Sequence, residues 1–105
     1  MNNFTTIYKI LKAIERSMDY EEFDSNLISP ESLGITKERR DKLLIEMQED
    51  GYIRNVNCST YFHQGTVIHE PIKPTITIKG LEYLANNSMM KKASDLIKGA
   101  VDIIK

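Results

Sequence analysis

The sequence predicts an α+β domain of three helices, then a β-hairpin, then further helix toward the C-terminus. Three observations carry this. Near the start, Phe4, Ile7, Leu11, Ile14 and Met18 follow one another at helical intervals of 3, 4, 3 and 4. After Gly51 that period gives way to strand formers, in Tyr52-Ile53-Arg54-Asn55-Val56 and again in Thr75-Ile76-Thr77-Ile78. Between these regions, capping residues divide the chain into short helical pieces.

The first apolar series defines one stripe of a helix over residues 4–18, with Asn2 or Asn3 as its cap and Lys9, Lys12, Glu15 and Arg16 largely on the other face. An acidic run follows. Asp19, Glu21, Glu22, Asp24 and Glu31 have no base among them and read as a solvated loop. Ser29-Pro30 is an N-cap with proline at the first helical position, and Gly34 keeps that helix short. Thr36 caps a third helix over residues 37–50, stopped by Gly51. Two helices joined by so tight a turn predict a helix-turn-helix.

The stretch between the two β-type runs contains Gly65, Pro71 and Pro74 among Tyr61, Phe62, Val67 and Ile68. It predicts a hairpin with a long or interrupted turn and room for a third strand. Thr77 or Ile78 then opens a fourth helix, with Leu81 and Leu84 facing inward beside Tyr83, and Gly80 allowing close backbone approach. These elements define a domain over residues 1–87. In residues 88–105, Met89, Met90, Ala93, Leu96, Ile97, Ala100, Val101, Ile103 and Ile104 fall on one side of a helical wheel. That segment predicts an amphipathic helix that packs on the domain or dimerises.

The totals set limits on function. Of 105 residues, 41% are hydrophobic and 28% charged, the composition of a soluble globular domain. Fourteen bases against fifteen acids give a net charge of −1, where a dedicated nucleic-acid binder shows a basic excess. The imbalance is local: residues 1–72 hold eight bases and twelve acids, and residues 73–105 hold six and three. One cysteine, Cys58, excludes an internal disulfide. No basic start with an apolar stretch marks a signal peptide, and no apolar run reaches the roughly 20 residues needed to span a bilayer. A cytoplasmic location without membrane association is expected.

Two stretches carry a family resemblance. Leu43-Leu44-Ile45-Glu46-Met47-Gln48-Glu49-Asp50-Gly51-Tyr52-Ile53 resembles a recognition helix turning into the first strand of a wing. Ile76-Thr77-Ile78-Lys79-Gly80-Leu81-Glu82-Tyr83-Leu84 resembles the last wing strand entering the closing helix of bacterial winged-helix regulators. The chain as a whole, from Asn3-Phe4 through Asn87-Ser88-Met89-Met90-Lys91-Lys92, is similar to the YjcQ-like family of Gram-positive bacteria and their phages and prophages. The resemblance implies a winged helix-turn-helix, a three-helix core plus a β-hairpin wing with additional C-terminal helices, in a phage-related setting. It carries over no functional residues.

Two readings of function follow. In the leading one the domain is a transcriptional regulator that binds double-stranded DNA. A recognition helix reads base edges through its N-terminal residues, here Lys37, Arg39 and Arg40, with Lys73 and His63 reaching the backbone from the wing. A helical wheel tempers this: Leu43, Leu44 and Met47 define the buried face with Arg40 beside them, so that only the head of Arg40 is expected to emerge. Glu38, Asp41, Lys42, Ile45 and Glu49 face outward, and three carboxylates there have the wrong sign for a groove lined with phosphates. In the alternative reading the domain contacts a protein through an outward Ile45, or forms a homodimer through Leu96 and Val101 of the C-terminal helix.

Catalysis is not expected. There is no phosphate-binding glycine loop, G-x-S-x-G elbow or H-E-x-x-H. Cys58, His63, His69 and Glu70 match no zinc-site spacing, and Cys58 with His63 is a weak nucleophile–base pair by sequence alone. No cofactor or metal is implied.

Overall fold

The structure is a computed structural model and describes residues 2–87. In chain order it contains α1 (Asn3–Arg16), α2 (Pro30–Leu33), α3 (Lys37–Glu49), β1 (Ile53–Arg54), β2 (Cys58–Tyr61), β3 (Gly65–Ile68), β4 (Thr75–Ile76) and α4 (Ile78–Asn86). Single 3-10 turns at Ser17–Asp19 and Ser25–Ile28 link α1 to α2. The architecture is α+β and winged-helix-like, as the sequence predicts. The amphipathic segment at residues 88–105, with Leu96 and Val101, lies outside the described residues.

Local capping chemistry sets the helix starts. The side chains of Asn2, Ser29, Thr36 and Thr77 each accept a backbone N–H of the first turn that follows. The buried face of α1 differs from the expected stripe. Thr6, Ile10, Leu11 and Ile14 are buried, whereas Phe4 and Met18 are mostly exposed. Thr6 tolerates burial because its hydroxyl donates to the Asn2 carbonyl. Met18 falls beyond the helix, which ends where the Ser17 hydroxyl donates to the carbonyl of Ile14.

The loop after α1 is pinned to the domain rather than simply solvated: Ile28 is fully buried and Phe23 packs against the core. The core continues through Leu33, Leu44, Met47, Ile53, Val56, Ile68, Ile72 and Leu84. α4 contributes Leu84 fully, and Leu81 only in part.

The β region forms two small antiparallel ladders in place of one interrupted hairpin. β1 pairs with β4 at the base, Ile53 opposite Ile76, and β2 pairs with β3 as the wing, Cys58 opposite Ile68 and Tyr61 opposite Gly65. Asn55 separates them by adopting a left-handed φ of 64°. The next amide, Val56 N–H, donates to the Gln48 side chain of α3 instead of to a strand. On the return side Pro71 and Pro74 have no N–H to offer a ladder.

The base and α4 meet without clearance. The single hydroxyl proton of Thr77 is shared between the carbonyls of Gly51 and Tyr52, and its oxygen accepts Gly80 N–H. A Cβ on Gly80 would lie 2.4 Å from the Tyr52 carbonyl oxygen, so glycine is required there.

Candidate functional site

The first turns of α3 were the sequence candidate for reading DNA, and the three cations singled out there, Lys37, Arg39 and Arg40, each have a partner. Arg40 is 3% exposed, guanidinium included, which corrects the expectation of an emergent head. Its Nη2 sits 2.9 Å from Asp41 Oδ1 and 3.3 Å from Glu70 Oε1. A buried guanidinium must be paired, and Glu70 supplies the second carboxylate from beyond the wing, thirty residues away. Arg40 is thus a strut between α3 and the loop that joins β3 to β4, closed to phosphate.

Lys37 is exposed but holds Asp41 at 2.6 Å, and Arg39 donates to Asn3 Oδ1 at 2.9 Å. Such surface contacts are weak, on the order of 0.5 kcal/mol, and leave both cations open to solvent. The outer face of α3 adds Lys42 but also Glu38, Glu46 and Glu49. Ile45, expected to point outward, is half-buried and packs against the core. A contact surface centred on Ile45 is therefore mostly occupied from within.

Lys73 is not brought to this group. Arg39 lies against Asn3 at the start of α1, whereas Lys73 lines a crevice with Ile14 and Ser17 at its end. Fourteen residues of helix separate those ends by about 21 Å. Glu21 and Glu22 line the same crevice as Lys73.

The wing differs in kind. None of the fifteen residues 55–69 is Lys, Arg, Asp or Glu. Its base is fixed to α3 by Gln48, whose Oε1 accepts Val56 N–H at 2.8 Å and whose amide lies 3.7 Å from Cys58 Sγ. Thr60 and Thr66 face one another across the ladder, and His69 Nε2 lies 3.0 Å from Ser59 Oγ. At the tip, Phe62 is 94% exposed and meets His63 edge to face at 4.4 Å, with Tyr61 also largely exposed. Sequence reasoning considered His63 as a phosphate contact and passed over its neighbours. The signal was present in the charge-free window closing on Tyr-Phe-His before Gly65.

Cys58 and His63, the nearest approach to a nucleophile and base, occupy the base and tip of the wing. Among the described residues no three His, Cys, Asp or Glu side chains are grouped to hold a metal ion. The titration of Tyr83 is raised by burial and then by the nearby Tyr52, whose ring it meets edge to face at 5.5 Å. Lys79 lies 4.7 Å over the Tyr52 ring and donates to the Asp50 carbonyl, tying α4 to the end of α3.

No helix among the described residues is long and apolar enough to cross a membrane. No curated protein and no solved structure matches the chain. A protein-family model does match, over residues 8–103 and so nearly the whole length, and by that match the chain belongs to the YjcQ protein family.

Proposed function

We infer that this YjcQ-family domain is a non-catalytic binding module whose wing tip docks onto another protein. The carrying observation is Phe62, almost wholly exposed on a wing without a single formal charge. Burying a phenylalanine yields about 1.5–3 kcal/mol that this side chain does not collect in the free domain. An aromatic anchor amid neutral polar residues is the composition of a protein-contact centre. It suits phosphate poorly, since a wing that grips a duplex gains its affinity from cations.

The regulator reading retains one favourable observation. Lys37, Arg39 and Lys42 are all exposed on the first two turns of α3, where a recognition helix meets a groove. Against it stand Glu38, Glu46 and Glu49 on the same helix, the burial of Arg40 and the remoteness of Lys73.

A photo-crosslinking amino acid at position 62, introduced in the producing cell, tests the docking reading. The expected result is one defined protein adduct that is lost when Tyr61 is replaced by Ser. Adducts to nucleic acid, or only a diffuse set of abundant proteins, would overturn it.

A further inference from the structure

The wing is a two-stranded ladder, and among the described residues neither β2 nor β3 has a second neighbour. Its register pairs Cys58 with Ile68 and Thr60 with Thr66. The His69 N–H donates to the Asn57 carbonyl, and that bond sets the alternation of the ladder. Asn57, Ser59 and Tyr61 therefore turn their main-chain groups toward the return strand, whereas those of Thr60 and Thr66 point away from the ladder. Nothing among the described residues bonds to these outward groups. Strand amides and carbonyls left open along an edge are matched in spacing and direction by another strand.

Sheet edges are ordinarily closed to other chains by a lysine, a proline, a bulge or a covering loop. Residues 55–69 contain no Lys, Arg, Asp, Glu or Pro, and the register runs from Cys58 opposite Ile68 to Tyr61 opposite Gly65 without a bulge. Only the base is guarded, where Gln48 takes the Val56 N–H and Ile68 is buried. Toward the tip, Tyr61 and Val67 are exposed on one face of the ladder, next to Phe62. At four residues each, β2 and β3 are too short to template an open-ended stack of strands, yet long enough to hold one strand in register beside a buried Phe62.

We propose that the partner of the wing contributes an extended, uncharged segment that adds a third strand to the β2–β3 ladder. Its main chain bonds the outward groups of Thr60 or of Thr66, and Phe62 anchors its end. A charged strand is selected against, because the wing has no opposite charge to pair with it on burial. This mode rests on the docking reading above and specifies what the partner presents.

Photo-crosslinking amino acids placed singly at Ser59, Thr60, Thr66 and Val67 in the producing cell are compared with the same label at Phe62. Ser59 and Val67 lie on one face of the ladder, and Thr60 and Thr66 on the other. An added strand lies in the plane of the ladder. Both positions of one strand, 59 with 60 or 66 with 67, are therefore expected to give the adduct obtained from 62, and the other strand little. Proline at the threonine of the labelled strand, Thr60→Pro or Thr66→Pro, removes only an outward N–H and is expected to abolish the adduct from 62, whereas valine there preserves it. Labelling confined to one face, or equal from all four positions, would overturn strand addition while the adduct from 62 left the docking reading standing. So would a proline variant that still forms the adduct. An adduct that proved to be a second copy of this chain would also overturn the proposal. The absence of any adduct from 62 would remove the docking reading and the added strand with it.

Discussion

The opening turns of α3 and the tip of the wing are the two places where a winged helix ordinarily meets its target, and here they are built on opposite plans. In α3 three of the four cations have a carboxylate or amide in reach: Lys37 with Asp41, Arg39 with Asn3, and Arg40 with both Asp41 and Glu70. At the wing tip there is nothing to pair, because the hairpin lacks formal charge and presents Tyr61 and Phe62 to water. The charged region largely satisfies itself, and the uncharged region is left wanting a partner. A count of lysines and arginines points to the wrong element, since what decides availability is which groups already have partners and what the exposed ones would gain by burial.

The comparison holds only while the frame beneath both regions holds, so the largest effect is expected there. Gly80→Val would push a branched side chain into the Tyr52 carbonyl and Ile76, and we expect a loss of about 3 kcal/mol in urea denaturation. A variant of unchanged stability would mean that β1 and α4 can part without consequence. Within α3, Arg40→Ala should cost about 2 kcal/mol, since the strut to Glu70 and its packing both vanish. Lys37→Ala should cost less than about 0.5 kcal/mol, because its one ion pair is exposed. Equal costs for the two would erase the distinction between a structural and a surface cation.

How far these contrasts are legible in the sequence depends on distance along the chain. The caps at Asn2, Ser29, Thr36 and Thr77 could be read because a side chain serving an amide two or three residues on is local chemistry. The wheel placed Arg40 on the buried side of α3 but could not bury its head, because the partner that makes burial tolerable, Glu70, is thirty residues away. Ile45 misled for a similar reason, since a wheel knows nothing of what packs beside a half-buried face. The split of the β region turned on a positive φ at Asn55 and on Gln48 capturing the amide of Val56, and neither leaves a periodicity to detect. Lys73 was assigned to the wing by proximity in sequence, whereas the chain carries it away to the end of α1.

Smaller effects sharpen the account. Thr77→Val should cost about 1–2 kcal/mol by leaving the Gly80 amide without its acceptor and the Gly51 carbonyl without the hydroxyl donor, whereas the Tyr52 carbonyl keeps the Thr77 N–H. Phe62→Ser should alter stability by no more than about 0.5 kcal/mol, because the ring is in solvent. A large loss from that change would show the tip to be part of the fold and not a docking element. The slightest effect is expected from Tyr83. Its folded pKa is raised, so its contribution is complete below pH 10 and declines as pH rises through the folded value. Tyr83→Phe should therefore flatten part of the alkaline fall in melting temperature and change nothing at neutral pH.

The most direct test of the central claim, that this winged helix contacts protein and not DNA, is a fluorescence-anisotropy titration of labelled mixed-sequence duplex DNA with the full-length protein. The account predicts a flat trace even at low salt, because the exposed cations of α3 share their face with Glu38, Glu46 and Glu49 and the wing supplies none. Binding that is strong at low salt, weakens steeply as salt is raised, and disappears when Lys37 and Arg39 are both replaced by Glu would contradict it, and would return the domain to the DNA-binding regulators.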